Sequence, residues 1–287
     1  MLVLYNFQHL GDIRLRVRLA QPHVEADVEV FAVSGGGDLG DQFRIAGIEG
    51  IVGTEIQRAV AGALGWRMNQ VSCECRRMGG GFGGKESQSA LFAACAALAA
   101  QQLQCPVKLR PDRDDDFLIT GRRHGFEFRY VVGHDQAGRL LGAEVEMVSN
   151  AGASADLSAP VMTRALCHFD NAYWLPAVDL RGYCARTNTQ SNTAFRGFGG
   201  PQGALAVEVI LDEVARRLGL DALAVRRANF YGTTERNITP YGQAVEDNIL
   251  APLVDELAAR GRHDARRAEI AAFNATSPVL KKGLALT

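Results

Sequence analysis

The chain has 287 residues, long enough for one large or two medium domains with a sizeable buried core. Its formal net charge of −1 provides no basic field for nucleic acid or anionic lipid, so binding has to be local and specific. No apolar stretch is long enough to span a membrane, the Ala-rich run Ala90 to Ala100 reads as a buried helix, and the N-terminus lacks the regions of a signal peptide. A cytoplasmic location is the default expectation, with Cys73, Cys75, Cys95, Cys105, Cys167 and Cys184 read as reduced, mostly buried thiols without paired metal spacing.

In chain order, residues 1–53 stand apart, with Ile13 to Leu19 and Val28 to Val33 read as strands and Ser34 to Gly37 as a loop. From Thr54 the pattern is regular. It predicts a helix from about Glu55 to Gly65, a strand from Gln70 to Arg77, a glycine loop, a helix from Ser87 to Leu103, and a strand from Val107 to Arg110. Asp112 to Asp116 reads as a solvated acidic loop. Alternation at Phe126, Phe128, Tyr130 and Val132, a turn at Gly133 to Gly138, and Leu141 to Val148 predict a hairpin. Ala153 to Asn192 has weak periodicity and holds Arg164, His168 and Arg186.

A second glycine loop then opens a helix with Pro201 near its start and an apolar stripe at Leu211, Val214 and Leu218. Pairs Asp212–Arg216 and Glu213–Arg217 are expected on its exposed face. Asp221 is read as the cap of a helix to about Asn229, Ile249 to Arg260 and Asp264 to Phe273 as two more helices, and Leu284 onward as the start of a strand.

The most informative feature is that Gly-Phe-Gly-Gly occurs twice, at Gly81 to Gly84 and Gly197 to Gly200, each time before a helix. Glycine lets backbone N–H groups approach an anion, and a helix N-terminus adds free donors and positive dipole. The pair points to two walls of one site for an anionic cofactor. A P-loop is disfavoured because Glu86 follows Lys85 where a hydroxyl would hold magnesium, and a dinucleotide loop because no acidic residue follows at the ribose position. His124, His134 and His168 are scattered and read as structural or exposed.

Arg77-Met-Gly-Gly-Gly-Phe-Gly-Gly-Lys-Glu86 and Asn192-Thr-Ala-Phe-Arg-Gly-Phe-Gly-Gly-Pro-Gln-Gly203 resemble the molybdenum-binding portion of the xanthine dehydrogenase family of molybdenum hydroxylases. The resemblance runs from Thr54 to Thr287 and includes Arg164 to Asn171, Asn229 to Gly232 and Thr239 to Gln243. It implies a mixed α/β (α+β) fold, the N-terminal part of a molybdopterin-binding domain, preceded by a divergent and possibly frameshifted segment 1–53. It also implies a molybdenum–molybdopterin cofactor, which hydroxylates a substrate carbon with oxygen from water. Iron–sulfur (2Fe-2S) and FAD centres are expected on a partner subunit or domain in a hetero-oligomer.

By motif position, the resemblance puts Phe82 and Gly83 beside the cofactor, Arg196 at its metal end with Phe82 also nearest the metal, and Ala194 on the substrate side. Phe195 and Phe198 would sandwich a planar heterocycle, while Glu86 and Arg164 are the purine-type pair, implying a xanthine or hypoxanthine substrate. Read without the resemblance, Arg164 is a surface ion-pair residue and Glu86 a first-turn helix carboxylate.

Two family features are missing: Ile51 stands where a glutamine is expected, and nothing replaces the C-terminal half of the domain with its general-base glutamate. The chain is accordingly read as a fragment of a catalytic subunit. The alternatives are a non-catalytic interaction remnant and an aldehyde oxidase-type hydroxylase.

Overall fold

A computed structural model describes residues 30–34, 43–46, 53–74 and 79–286. Two sheets organise it. The first has four strands in the order β3-β2-β1-β4, with β1 at Val30–Ser34, β2 at Phe43–Ala46, β3 at Val71–Glu74 and β4 at Val107–Leu109. Only the β2–β3 pair is parallel. Helices α1 (Gly53–Leu64) and α2 (Ser89–Leu103) bury Ile56, Val60, Phe92, Ala93, Ala96, Ala97 and Ala100 in one cluster that also takes in Val71. Alanines spaced three and four apart let α2 approach its neighbours closely, while Leu91 and Leu98 remain exposed on its other side.

The second sheet follows the order β5-β6-β7: β5 (Phe126–His134) and β6 (Leu140–Gly152) form the expected hairpin, and β7 (Val178–Arg186) lies parallel to β6. Phe126, Phe128 and Tyr130 face inward with Val145 and Met147, and Arg129 pairs with Glu127 and Glu146 between them. Full burial of an aromatic or Met side chain contributes roughly 1.5–3 kcal/mol. The inner face is covered by α4 (Ser158–Cys167) and α5 (Gly200–Leu218). Helix α6 (Ala222–Asn229), capped by Asp221, packs on α5, and α7 (Leu250–Arg260) and α8 (His263–Thr276) follow.

Several expectations require correction. The strand read at Val28 to Val33 appears as β1, but with β2 it forms the centre of the first sheet rather than standing apart; Ile13 to Leu19 lies outside the described residues, as do Ile51, Cys75, Arg77 and Met78. The acidic run is not a loop: Asp112 accepts from the Asp115 N–H at 2.8 Å and caps α3 (Arg113–Ile119), whose first turn carries the other acids. Carboxylates there complement the helix dipole. The weakly periodic stretch contains α4 and β7, and no strand forms in 277–286.

Asp212 pairs with Arg226 at 2.8 Å, whereas Glu213 takes both Arg216 and Arg217. Cys95, Cys105, Cys167 and Cys184 are exposed, because each falls on the outer side of its element or in a loop.

The α4–α5 contact is built on small residues. A Cβ on Gly203 would lie 2.1 Å from the Ala165 carbonyl oxygen, and one on Gly199, at φ +97°, 2.0 Å from that of Val161. Gly203→Ala is therefore expected to push the two helices apart and lower stability by roughly 1–3 kcal/mol, measured by urea unfolding.

Candidate functional site

The two glycine loops meet backbone to backbone. Gly83 has φ +98°, and a Cβ on it would lie 2.3 Å from the Ala194 carbonyl oxygen and 2.6 Å from the Phe195 Cα. Only glycine fits such a position without moving one of the loops. Each loop also holds its phenylalanine in the left-handed region, Phe82 at φ +46° and Phe198 at φ +51°. Non-glycine residues are uncommon there and strained, so the surrounding contacts have to hold them.

The first loop folds Phe82 back over Gly80, leaving its ring 61% exposed with the Arg196 guanidinium 5.7 Å from its centroid. In the second loop, Phe198 N–H donates to the Phe195 carbonyl at 2.7 Å and Gly200 N–H to that of Gly197 at 2.9 Å. Ala194 is buried, Phe198 packs against the main core, and Arg196 is exposed. Phe195 is half-buried, with one ring face covered by Arg123, whose Cζ lies 4.5 Å from the centroid.

Arg164 stands on the exposed side of α4 in its last turn, where its charge suits the helix dipole. Its Nε is 3.9 Å from where a Cβ on Gly200 would lie, which puts it at the mouth of the second loop. Glu86 lies in the turn between the first loop and α2. Its Oε2 is buried without a hydrogen-bond partner, and among the described residues it forms no ion pair with Arg164. The structure thus places Arg164 at the mouth of the second loop and Glu86 in the turn that follows the first.

Polar residues that the sequence reading did not single out support the junction. Thr193 N–H donates to the Arg122 carbonyl at 3.0 Å, and Arg122 N–H to Asn192 Oδ1 at 3.2 Å. Gln88, just before α2, accepts from Gly121 N–H at 2.7 Å and donates to Asp156 at 3.1 Å, tying the first loop to the segment before α4. Gln202 Nε2 donates to the His124 carbonyl at 3.3 Å, and His124 Nε2 meets Ser158 Oγ at 2.7 Å. The signal for Gln202 was present: it shares the buried face of α5 with Ala206 and Ile210 at helical spacing, a polar residue in an apolar stripe. Arg122-Arg123-His124, a basic triplet beside a strand start, was another.

Six of the ten buried polar atoms without a partner among the described residues lie on the two loops' supports: Glu86 Oε2, Ser87 Oγ and Ser89 Oγ on the first, Thr193 Oγ1, Gln202 Oε1 and Arg123 Nη1 on the second. Buried polar atoms normally find partners, so this set fits a ligand rich in donors and acceptors. Together with the close backbone approach at Gly83, it marks the junction as the candidate cofactor site. Comparison with known proteins agrees. A family model described as the molybdopterin cofactor-binding domain matches residues 49–230, and the chain belongs to that family.

The chain is 45% identical over 233 residues to xanthine dehydrogenase of Drosophila subobscura, covering 81% of this chain and 17% of that protein. It is 41% identical over 219 residues to nicotinate hydroxylase of Emericella nidulans, covering 76% and 16%. Among solved structures, aldehyde oxidoreductase from Desulfovibrio gigas superposes with a TM-score of 0.73 at 26% identity, covering 91% of this chain and 27% of that one. Quinoline 2-oxidoreductase from Pseudomonas putida 86 gives the same TM-score at 22% identity, covering 87% and 32%, and shares the fold. The chain thus spans about a sixth of the length of the curated relatives it matches.

His124, 1% exposed, is held neutral because burial lowers its pKa below the usual 6.5, with Asp156 and the Thr193 backbone pulling the other way. The unfolded chain therefore binds this proton more readily, so the stabilisation is complete above pH 6.5 and declines as pH falls toward the lowered folded value. Between about pH 7.5 and about pH 5.5 the loss from this residue is at most about 1.4 kcal/mol. His124→Gln should flatten the pH dependence of thermal unfolding over that window.

Proposed function

We propose that this chain is part of the molybdenum-binding catalytic portion of a xanthine dehydrogenase-like hydroxylase, and that the junction where its two glycine loops touch forms part of the wall that holds the cofactor. The observation that carries the reading is the direct backbone contact of Gly83 with Ala194 and Phe195, flanked by unpartnered buried polar atoms. In the complete enzyme the proposed reaction is hydroxylation of hypoxanthine or xanthine toward urate with oxygen from water. A bound molybdenum cofactor supplies two-electron redox chemistry.

The chain's own residues supply position and charge. Gly83 and Phe82 shape one wall, and Arg196, poised over the Phe82 ring, offers donors to the cofactor's metal end. Phe195 has one ring face taken by Arg123, which leaves the other for a flat heterocycle, with Phe198 and Ala194 completing the substrate side. Arg164 is the donor fork for a carbonyl oxygen that gains charge during reaction, and Glu86 accepts from a ring N–H.

Iron–sulfur and FAD centres belong to partner segments in this reading. The likeness to nicotinate hydroxylase favours a second reading, in which the same cradle serves a nitrogen heterocycle other than a purine.

Elemental analysis of the chain purified from a cofactor-producing host tests the cradle. Bound molybdenum is expected, and Gly83→Ala should abolish it by forcing the loops apart; metal-free unsubstituted protein would favour the non-catalytic interaction remnant. Substrate class is tested with the remaining enzyme segments supplied in trans. Arg164→Met should cut purine turnover about 100-fold, corresponding to ~3 kcal/mol of lost transition-state stabilisation, while an aromatic aldehyde is scarcely affected. Equal losses on both substrates would make Arg164 structural.

A further inference from the structure

Arg123 lies in the segment leading into β5 and is half-buried, and burial lowers its pKa. Its guanidinium makes two contacts to successive residues of the second glycine loop. Its Cζ lies over the Phe195 ring, 4.5 Å from the centroid, and Nη2 donates to the Arg196 carbonyl at 2.6 Å. Its remaining terminal nitrogen, Nη1, is buried without a partner. Half-burying a cation is unfavourable unless something compensates, and here a ring face and one carbonyl do so in place of a carboxylate.

From this geometry we propose that Arg123 is a positioning residue: it clamps Phe195 and the Arg196 carbonyl together, fixing the direction in which the Arg196 side chain leaves the loop and which face of Phe195 stays open. The inference rests on the proposed cofactor role for the loop, but the clamp itself is a property of this chain alone. Its physical logic depends on the planar fork. A lysine ammonium can sit over the ring or donate to the carbonyl, yet it is a point donor and cannot match a flat stack and an in-plane hydrogen bond together.

The backbone is already stapled at this point by Thr193 N–H to the Arg122 carbonyl, so a change at the Arg123 side chain leaves the neighbouring main-chain bonds in place. The contact is also long-range, Arg123 and Arg196 being 73 positions apart. The side chain therefore carries tertiary information that the loop's own sequence lacks.

Hydrogen exchange read by mass spectrometry on the full chain tests the clamp without any cofactor. The amides of Phe198 and Gly200, bonded to the Phe195 and Gly197 carbonyls, report the loop. Arg123→Met should speed their exchange about tenfold, the size expected from losing a cation–π contact and a hydrogen bond, while β5 amides stay unchanged. Arg123→Lys should be intermediate, and added ethylguanidinium should slow loop exchange again in Arg123→Ala. Unchanged loop exchange in Arg123→Met, an equal rise in β5, or no rescue by guanidinium would overturn the proposal. Should Arg123→Met fail to fold, Arg123→Lys decides: exchange equal to that of the unsubstituted chain would refute the need for the fork. A chain that binds no molybdenum but loosens its loop on Arg123→Met would defeat the proposed cofactor role and leave the clamp standing.

Discussion

The constraint on which this structure depends is the contact between two stretches of backbone, Gly83 against Ala194 and Phe195, with no room for a Cβ between them. Everything that positions the site follows from keeping those stretches together. The first loop must enter α2 and the second must enter α5, so both helices are fixed by where the loops touch. The second loop is in turn pressed against α4 by Gly199 and Gly203, whose approaches to the Val161 and Ala165 carbonyls are as close as that of Gly83. Small residues at every crossing make a backbone-lined junction, and the bulky residues it contains, Phe82 and Phe198, take left-handed conformations to fit. Backbone strain of that kind costs on the order of 1–3 kcal/mol per residue and persists only where packing over-determines it.

Packing supplies that determination from two sides. Beneath the second loop, Gln202 reaches the His124 carbonyl and His124 reaches Ser158, a chain of buried polar contacts joining α5, the start of β5 and α4. Beside the first loop, Gln88 bridges Gly121 and Asp156. Farther out, Asn229 donates to the Gly138 and Val225 carbonyls and accepts from Leu140 N–H, which locks the hairpin turn to α6. Each bond is modest in net terms, but leaving either partner buried and unpaired would cost about 1–3 kcal/mol, so the networks penalise alternative arrangements more than they reward this one.

The sequence made some of this legible and hid the rest for identifiable reasons. The hairpin and α5 are long and strongly periodic, and they appear with their apolar residues inward. Helix α4 was hidden because it is short and carries Pro160 in its first turn, where proline is tolerated, and β7 because as an edge strand it buries so little that its alternation is weak. The acidic run concealed α3, since Asp112 is an N-cap and the following acids are first-turn residues, a pattern that also reads as a solvated loop. At the site, the glycine repeat marked both loops, but it could not reveal that they touch. That contact joins residues more than a hundred positions apart. Arg123 escaped notice for the same reason, its partners lying 72 and 73 residues downstream.

The division of labour between backbone and side chains bears on how such a site changes. A cradle formed by glycine backbone and helix starts presents N–H and C=O groups that are the same whatever side chains surround them, so substitutions elsewhere leave it intact provided the glycines remain. In the proposed reading, substrate selection falls instead on side chains at the rim: Glu86 from the turn before α2, Arg164 from α4, and Phe195 from the second loop. These lie on different elements and none forms the loop contact through its side chain, so each can be exchanged without opening the junction. A site built this way can keep one cofactor while its substrate changes.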